Sequence, residues 1–132
     1  MGTFATTEEA QEYFKNDLFA SNAGMKLDEL TENTSVCSVD ITDALKNANG
    51  GVMGGAIFTL ADLALAAVAN QIHRPSVASQ VSINYLSAPK GSRLIAKAKT
   101  VKAGRTTTVI QVDVSDDTGR DIALFIGTAF KL

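Results

Sequence analysis

Apolar positions along the 132-residue chain follow two periods, and the change between them separates helical from extended segments. The longest apolar run, GGVMGGAIFTLADLALAAVANQ from Gly50 to Gln71, reads as a helix past its glycines and carries one charge, Asp62. Ahead of it, Thr6-Thr7-Glu8-Glu9 fits a capping box with Thr6 as N-cap, opening a short helix through Tyr13 and Phe14. A second short helix runs from about Asp17 and stops near Gly24 as its C′ residue. In TSVCSVDIT, Thr34 to Thr42, Cys37, Val39 and Ile41 share one face and Ser38 and Asp40 the other, which predicts a strand. A glycine-rich loop, DALKNANGGVMGG, connects it to the long helix, and His73-Arg74-Pro75 ends that helix. Four extended runs follow, at 77–86, 94–101, 106–114 and 121–130. The turns between them carry Pro89-Lys90-Gly91, Gly104 and Asp117-Thr118-Gly119, short enough for an antiparallel meander.

A helix apolar on all sides must be covered all round, and the only cover of sufficient size is the sheet. The order strand, long helix, four antiparallel strands therefore predicts an α+β fold. A curved antiparallel sheet wraps around a long central helix, with the short N-terminal helices over an edge or mouth: the hotdog arrangement. The length suits one domain, residues 1–132, without repeats or linkers.

Composition removes several function classes. With 12 Lys+Arg against 14 Asp+Glu and no basic block, the chain lacks the electrostatic footprint of a nucleic-acid binder. A single cysteine, Cys37, excludes an intramolecular disulfide framework, and no CxxC or His/Cys cluster offers a metal site. The N-terminus has early acidic residues and no basic region leading into an apolar core, unlike a signal peptide, so the cytoplasm is the expected location. Val52 to Ala69 is long enough to span a bilayer, but it is alanine-rich and lacks flanking aromatic anchors. Asp62 near mid-membrane would cost roughly 2.5 to 3.5 kcal/mol, so no membrane span is expected.

An unpaired buried carboxylate is costly, so Asp62 requires a partner, water access or a function. Gly54-Gly55 opens the helix with free N–H groups at the positive end of its dipole, a terminus able to polarise a carbonyl and stabilise an oxyanion. Gly54 and Asp62 are separated by about 12 Å along one helix, too far to touch one small reacting group. Two such helices antiparallel across a two-fold axis would join Gly54 of one subunit to Asp62 of the other. His73, the only histidine, reads as a helix-terminal or loop residue rather than the base of a triad, and Cys37 as a buried small hydrophobe. Phe58, Leu60, Leu63, Leu65 and Tyr85 could line an acyl or aryl pocket or simply be core.

The chain resembles PaaI-type hotdog acyl-CoA thioesterases over nearly its whole length. The resemblance rests on FKNDLFASNAGMKL, then Asn47 with GGVMGGAIFTLAD, then INYLSAPKG, KAGRTTTVIQVDV and a final GTAF; Asn47 to Asp62 is the most specific part. The family pattern is an asparagine, a short gap, His-Gly-Gly and then an aspartate in the helix. The resemblance implies Asn47 holding water or the thioester, Gly54 N–H polarising the carbonyl beside Gly55, and Asp62 as general base or nucleophile. Met53 stands where the family has histidine, which removes a donor and acceptor and leaves a flexible apolar side chain. In the strand at 77–86 some relatives place a hydroxyl near the site; Ala78 holds that position, with Ser79 adjacent. Lys90 and Arg105 are implied as contacts to the CoA phosphates.

The expected activity is hydrolysis of an acyl- or aryl-CoA to CoA and a carboxylic acid, with no cofactor beyond the CoA of the substrate. A non-catalytic acyl-CoA binding module, made credible by Met53, is the second reading. A hydratase ranks below both, because no histidine lies near Asp62 in sequence. The family also implies a homodimer, assembling as a dimer of dimers.

Overall fold

The computed structural model describes residues 2–132. Helix α1, Thr7–Phe14, begins as expected: the Thr6 side chain accepts from Glu9 N at 3.1 Å, and Glu9 reaches back to Ala5 N at 2.9 Å. Helix α2, Leu18–Asn22, ends in a Schellman pattern, with Met25 N donating to Ala20 O and Gly24 N to Ser21 O. Gly24 has φ of 86°, a left-handed value that glycine adopts without a Cβ clash.

Six strands form one antiparallel sheet: β1 Lys26–Leu30, β2 Thr34–Asp40, β3 Ser76–Tyr85, β4 Arg93–Ala103, β5 Thr107–Asp116 and β6 Asp121–Lys131. The strand β1 is an addition to the five that periodicity predicts. Its sequence KLDEL bulges between Leu27 and Glu29, so its buried residues Leu27 and Leu30 are three apart and show no alternation. The spatial order is β1-β2-β4-β5-β6-β3. Only β4-β5-β6 is a meander; β3 lies beyond β6, paired Ala78↔Ala129 and Tyr85↔Ala123, and its chain crosses back to β4. The expectation of a four-strand meander is therefore corrected. A short connection limits which strands are neighbours only if they pair, and β4 instead takes β2 as its second partner.

The long helix α3, Gly54–Ile72, lies on the concave face of this sheet and contacts all six strands. By length and a mean hydropathy of 1.5 it could cross a membrane, but most of it is buried inside this fold. Small residues on the strands, Ala96, Ala98, Ala123 and Ala129, are buried, and small side chains at such positions let helix and sheet approach closely. The cover is incomplete. Gly55 is exposed, and Thr59, Asp62 and Ala66 are half-buried, a stripe at helical spacing that the sheet does not reach. Strand β3 has one unpaired edge and side chains that are exposed or half-buried throughout.

The loop from β3 to β4 is tied to the β5–β6 turn by a buried carboxylate. Asp116 accepts from Lys90 N at 2.8 Å, Gly91 N at 3.0 Å, Thr118 N at 3.0 Å, Thr118 Oγ1 at 2.6 Å and Arg120 N at 3.1 Å. The Thr118 hydroxyl first, then the amides, hold its pKa well below the ordinary 3.8. A value lowered on folding contributes stability at neutral pH that is lost as pH falls through 3.8 and below. The Asp116→Asn protein is expected to melt below the natural protein at pH 7, with the gap closing in acid; thermal melts between pH 7 and 3 check this.

Candidate active site

The N-terminus of α3 is built by the loop before it. Asn47 Oδ1 accepts from Asn49 N at 2.9 Å and Gly51 N at 3.2 Å, and Met53 N donates to Leu45 O at 2.8 Å. Met53 occupies the N-cap position with extended backbone and no side-chain cap. The first amides that follow it, Gly54 N and Gly55 N, have no acceptor among the described residues. Tyr85, at the end of β3, lies across this turn: its hydroxyl donates to Gly54 O at 2.9 Å. A Cβ on residue 54 would stand 3.2 Å from the Tyr85 ring, so a side chain there would crowd the tyrosine against this turn.

Two openings flank these amides. A cavity of 420 Å³ is lined by Asn47, Gly54, Tyr85, Leu86 and Pro89. A largely apolar groove of 660 Å³ runs along the other side, lined by Phe19, Met25, Leu45, Met53, Gly55 and Phe58. Met53 is half-exposed and supplies a flexible apolar wall of that groove.

Asp62 sits two turns further on, half-buried on the uncovered stripe. Its carboxylate makes no hydrogen bond or ion pair among the described residues. Burial, then the nearby Asp17 carboxylate, raise its pKa above the ordinary aspartate value. It faces two further cavities, of 320 and 490 Å³. Neither reaches Gly54, about 12 Å away along the helix, so one chain does not bring the acid and the free amides together.

An α3 wrapped by this sheet, opening on two glycines and carrying a free aspartate, is matched by the model of the thioesterase superfamily over residues 49–123, more than half of the chain. The chain belongs to the thioesterase superfamily. It is similar to the acyl-coenzyme A thioesterase PaaI of Escherichia coli, 27% identical over 126 residues that cover 95% of this chain and 90% of that one. The solved structure of Escherichia coli PaaI superposes with a TM-score of 0.88, covering 93% and 90% of the two chains at 27% identity. A thioesterase structure from Streptococcus pneumoniae, solved with coenzyme A, is 30% identical with a TM-score of 0.81 and covers 89% of this chain and 94% of that one. The chain is a PaaI-type hotdog thioesterase, a thioester hydrolase.

Within this thioesterase the remaining candidate residues fall at separate places. Ser79 lies at the β3 bulge and donates to Thr128 O at 3.2 Å; Ala78, not Ser79, lines the larger cavity at Asp62. Lys90 follows the loop that borders the Gly54 cavity, whereas Arg105 lies in the β4–β5 turn next to Gly104, whose carbonyl is 2.9 Å from His73 Nε2. His73 thus sits at the C-terminal end of α3 and shares no cavity with Asp62. The two cations stand near opposite ends of a helix about 28 Å long. Leu60 is core, whereas Phe58 and Leu63 line the smaller cavity at Asp62 and Leu65 the larger. Cys37 is fully buried, and burial followed by the Asp28 charge pushes its thiol pKa up, the state of an inert thiol. Among the described residues no group of three or more His, Cys, Asp or Glu is placed to hold a metal ion.

Two participants were invisible to periodicity. Tyr85 could be assigned only to a face of its strand, yet its hydroxyl spans 31 residues to Gly54. Asp17 looked like the start of a helix, and its approach to Asp62 depends on how α2 packs on α3.

Proposed function

We propose that this thioesterase hydrolyses acyl-CoA thioesters at sites formed between two subunits, Asp62 of one subunit acting with Gly54 of the other. The observation that carries the reading is the separation of free amides and unpartnered carboxylate by two turns of one helix. Antiparallel apposition of two α3 helices would close that distance, and the uncovered stripe with Gly55, Thr59, Asp62 and Ala66 provides a surface for it. The unpaired edge of β3 offers a second element for the same pairing, because a long open edge favours another strand. The names of the relatives supply the substrate class: one is an acyl-coenzyme A thioesterase and another was solved with coenzyme A.

In this reading the carbonyl oxygen lies at Gly54 N–H, with Gly55 N–H beside it, where the helix dipole stabilises the developing oxyanion. Asp62 takes a proton from water as its oxygen adds to the carbonyl carbon; the C–S bond breaks, and the CoA thiolate receives a proton as the acid leaves. The raised proton affinity of Asp62 and the room beside it support the role of base on water. Asn47 Oδ1 is committed to its loop, which leaves its amide nitrogen to hold water or the thioester. The groove with Met53 and Phe58 takes the acyl group, and Lys90 and Arg105 meet CoA phosphates from different subunits. Ser79 is assigned no direct contact. A dimer of dimers in the cytoplasm, with no cofactor, completes the reading.

Thiol release from short, medium and aryl acyl-CoAs tests the activity, and mixed dimers test the geometry. Asp62→Asn and Gly54→Val proteins are each expected to be inactive alone. Co-refolded, they should regain one working site per heterodimer, the one that joins natural Gly54 to natural Asp62. No recovery in verified heterodimers would place each site within one chain. Tight acyl-CoA binding without thiol release would favour the binding-module reading.

A further inference from the structure

We propose that Asp17 is a positioning residue for the reaction, its carboxylate facing Asp62 across shared cavities and tuning that side chain as a base. The proposal rests on the reading of Asp62 as the base.

Asp17 stands at the N-cap of α2, where an aspartate ordinarily accepts from the amides of the first turn. It makes no such bond, and among the described residues its side chain has no hydrogen bond or ion pair at all. It lines both cavities that Asp62 lines, the smaller with Leu18, Phe19 and Phe58 and the larger with Tyr13 and Phe14. The walls around the two carboxylates mix apolar side chains with Thr59, Asn70 and Ser76.

Among the described residues of one protomer, no cationic side chain lines either cavity. From α1 the one titratable side chain facing it is Tyr13; the start of β3 contributes Pro75, Ser76, Val77 and Ala78, and α3 contributes no charge besides Asp62. Arg74, next to that strand, stacks on the Phe4 ring at 4.1 Å and donates to Thr3 O at 2.8 Å; it lines neither cavity. Asp17 is exposed at the rim of this space and Asp62 half-buried within it, and two like charges that face each other each raise the proton affinity of the other. Burial raises the pKa of both groups, and Asp62 is raised further by Asp17. A base brought closer to neutrality accepts a proton more readily from water, so a residue that touches no substrate would still govern the rate.

The test measures Asp62 directly, by ¹³C NMR titration of labelled aspartate carboxyls, alongside the pH profile of kcat/KM for thiol release from acyl-CoA. The natural protein is compared with Asp17→Asn, nearly the same shape without the charge, and Asp17→Glu, which keeps it. In Asp17→Asn the Asp62 midpoint and the acid limb of the profile are both expected to move to lower pH. In Asp17→Glu both should stay near their natural positions. An unmoved Asp62 midpoint in a folded Asp17→Asn protein overturns the proposal. Failure of the underlying reading looks different: an Asp62→Asn protein that retains thiol release removes the base itself.

Discussion

Asp62→Asn is expected to lower kcat for thiol release by about 10²- to 10⁴-fold, the usual range for losing a positioned base. KM should change little, because the carboxylate acts on the proton of water in the transition state. Stability is expected to hold or rise. The natural carboxylate is half-buried, makes no hydrogen bond among the described residues and is pushed toward protonation by burial and by Asp17. A neutral amide of the same shape removes that desolvation penalty, a common outcome where activity needs a strained group. Steady-state kinetics and a thermal melt on the same preparation separate the two effects. Residual turnover within tenfold of the natural protein would exclude Asp62 as the base.

The second large effect is on the fold. Phe125 is fully buried on the inward face of β6, edge-on to Phe58 with ring centroids 5.3 Å apart. Truncating it to alanine removes the ring and leaves a cavity between the sheet and α3. The expected loss is about 3 to 5 kcal/mol by denaturant unfolding, or roughly 10 to 20 °C in Tm for a domain of this size. Phe58 also lines the apolar groove, so its ring can lean into the vacancy and reshape the groove. Phe125→Leu, which refills most of the volume, should recover the larger part of the stability. A loss below about 1 kcal/mol for Phe125→Ala would mean that this contact between helix and sheet is not central to the core.

Both predictions depend on features that differ in how far they could be read from the chain. The apolar run predicted the helix that became Gly54–Ile72, because an uninterrupted stretch of that length has one regular way to satisfy its backbone in the interior. The capping box at Thr6 and Glu9 was legible because its bonds are local, three and four residues long. Asp62 stood out because a charge in an apolar helix violates the pattern around it. Strand β1 was hidden, since its bulge breaks the alternation that would have revealed it.

By itself, the sequence determined the types of the regular elements other than β1, the central helix and the residues whose chemistry is out of place, all of which depend on periodicity or on a residue against its neighbours. The tertiary structure alone decided that β3 lies beside β6, that Tyr85 anchors Gly54, that Asp17 faces Asp62 and that one stripe of α3 stays uncovered. These depend on groups far apart in the chain, whose approach is set by how the sheet curves around the helix and by which edges remain unpaired. Periodicity carries the direction in which each side chain points from its own element, and packing supplies what it meets there.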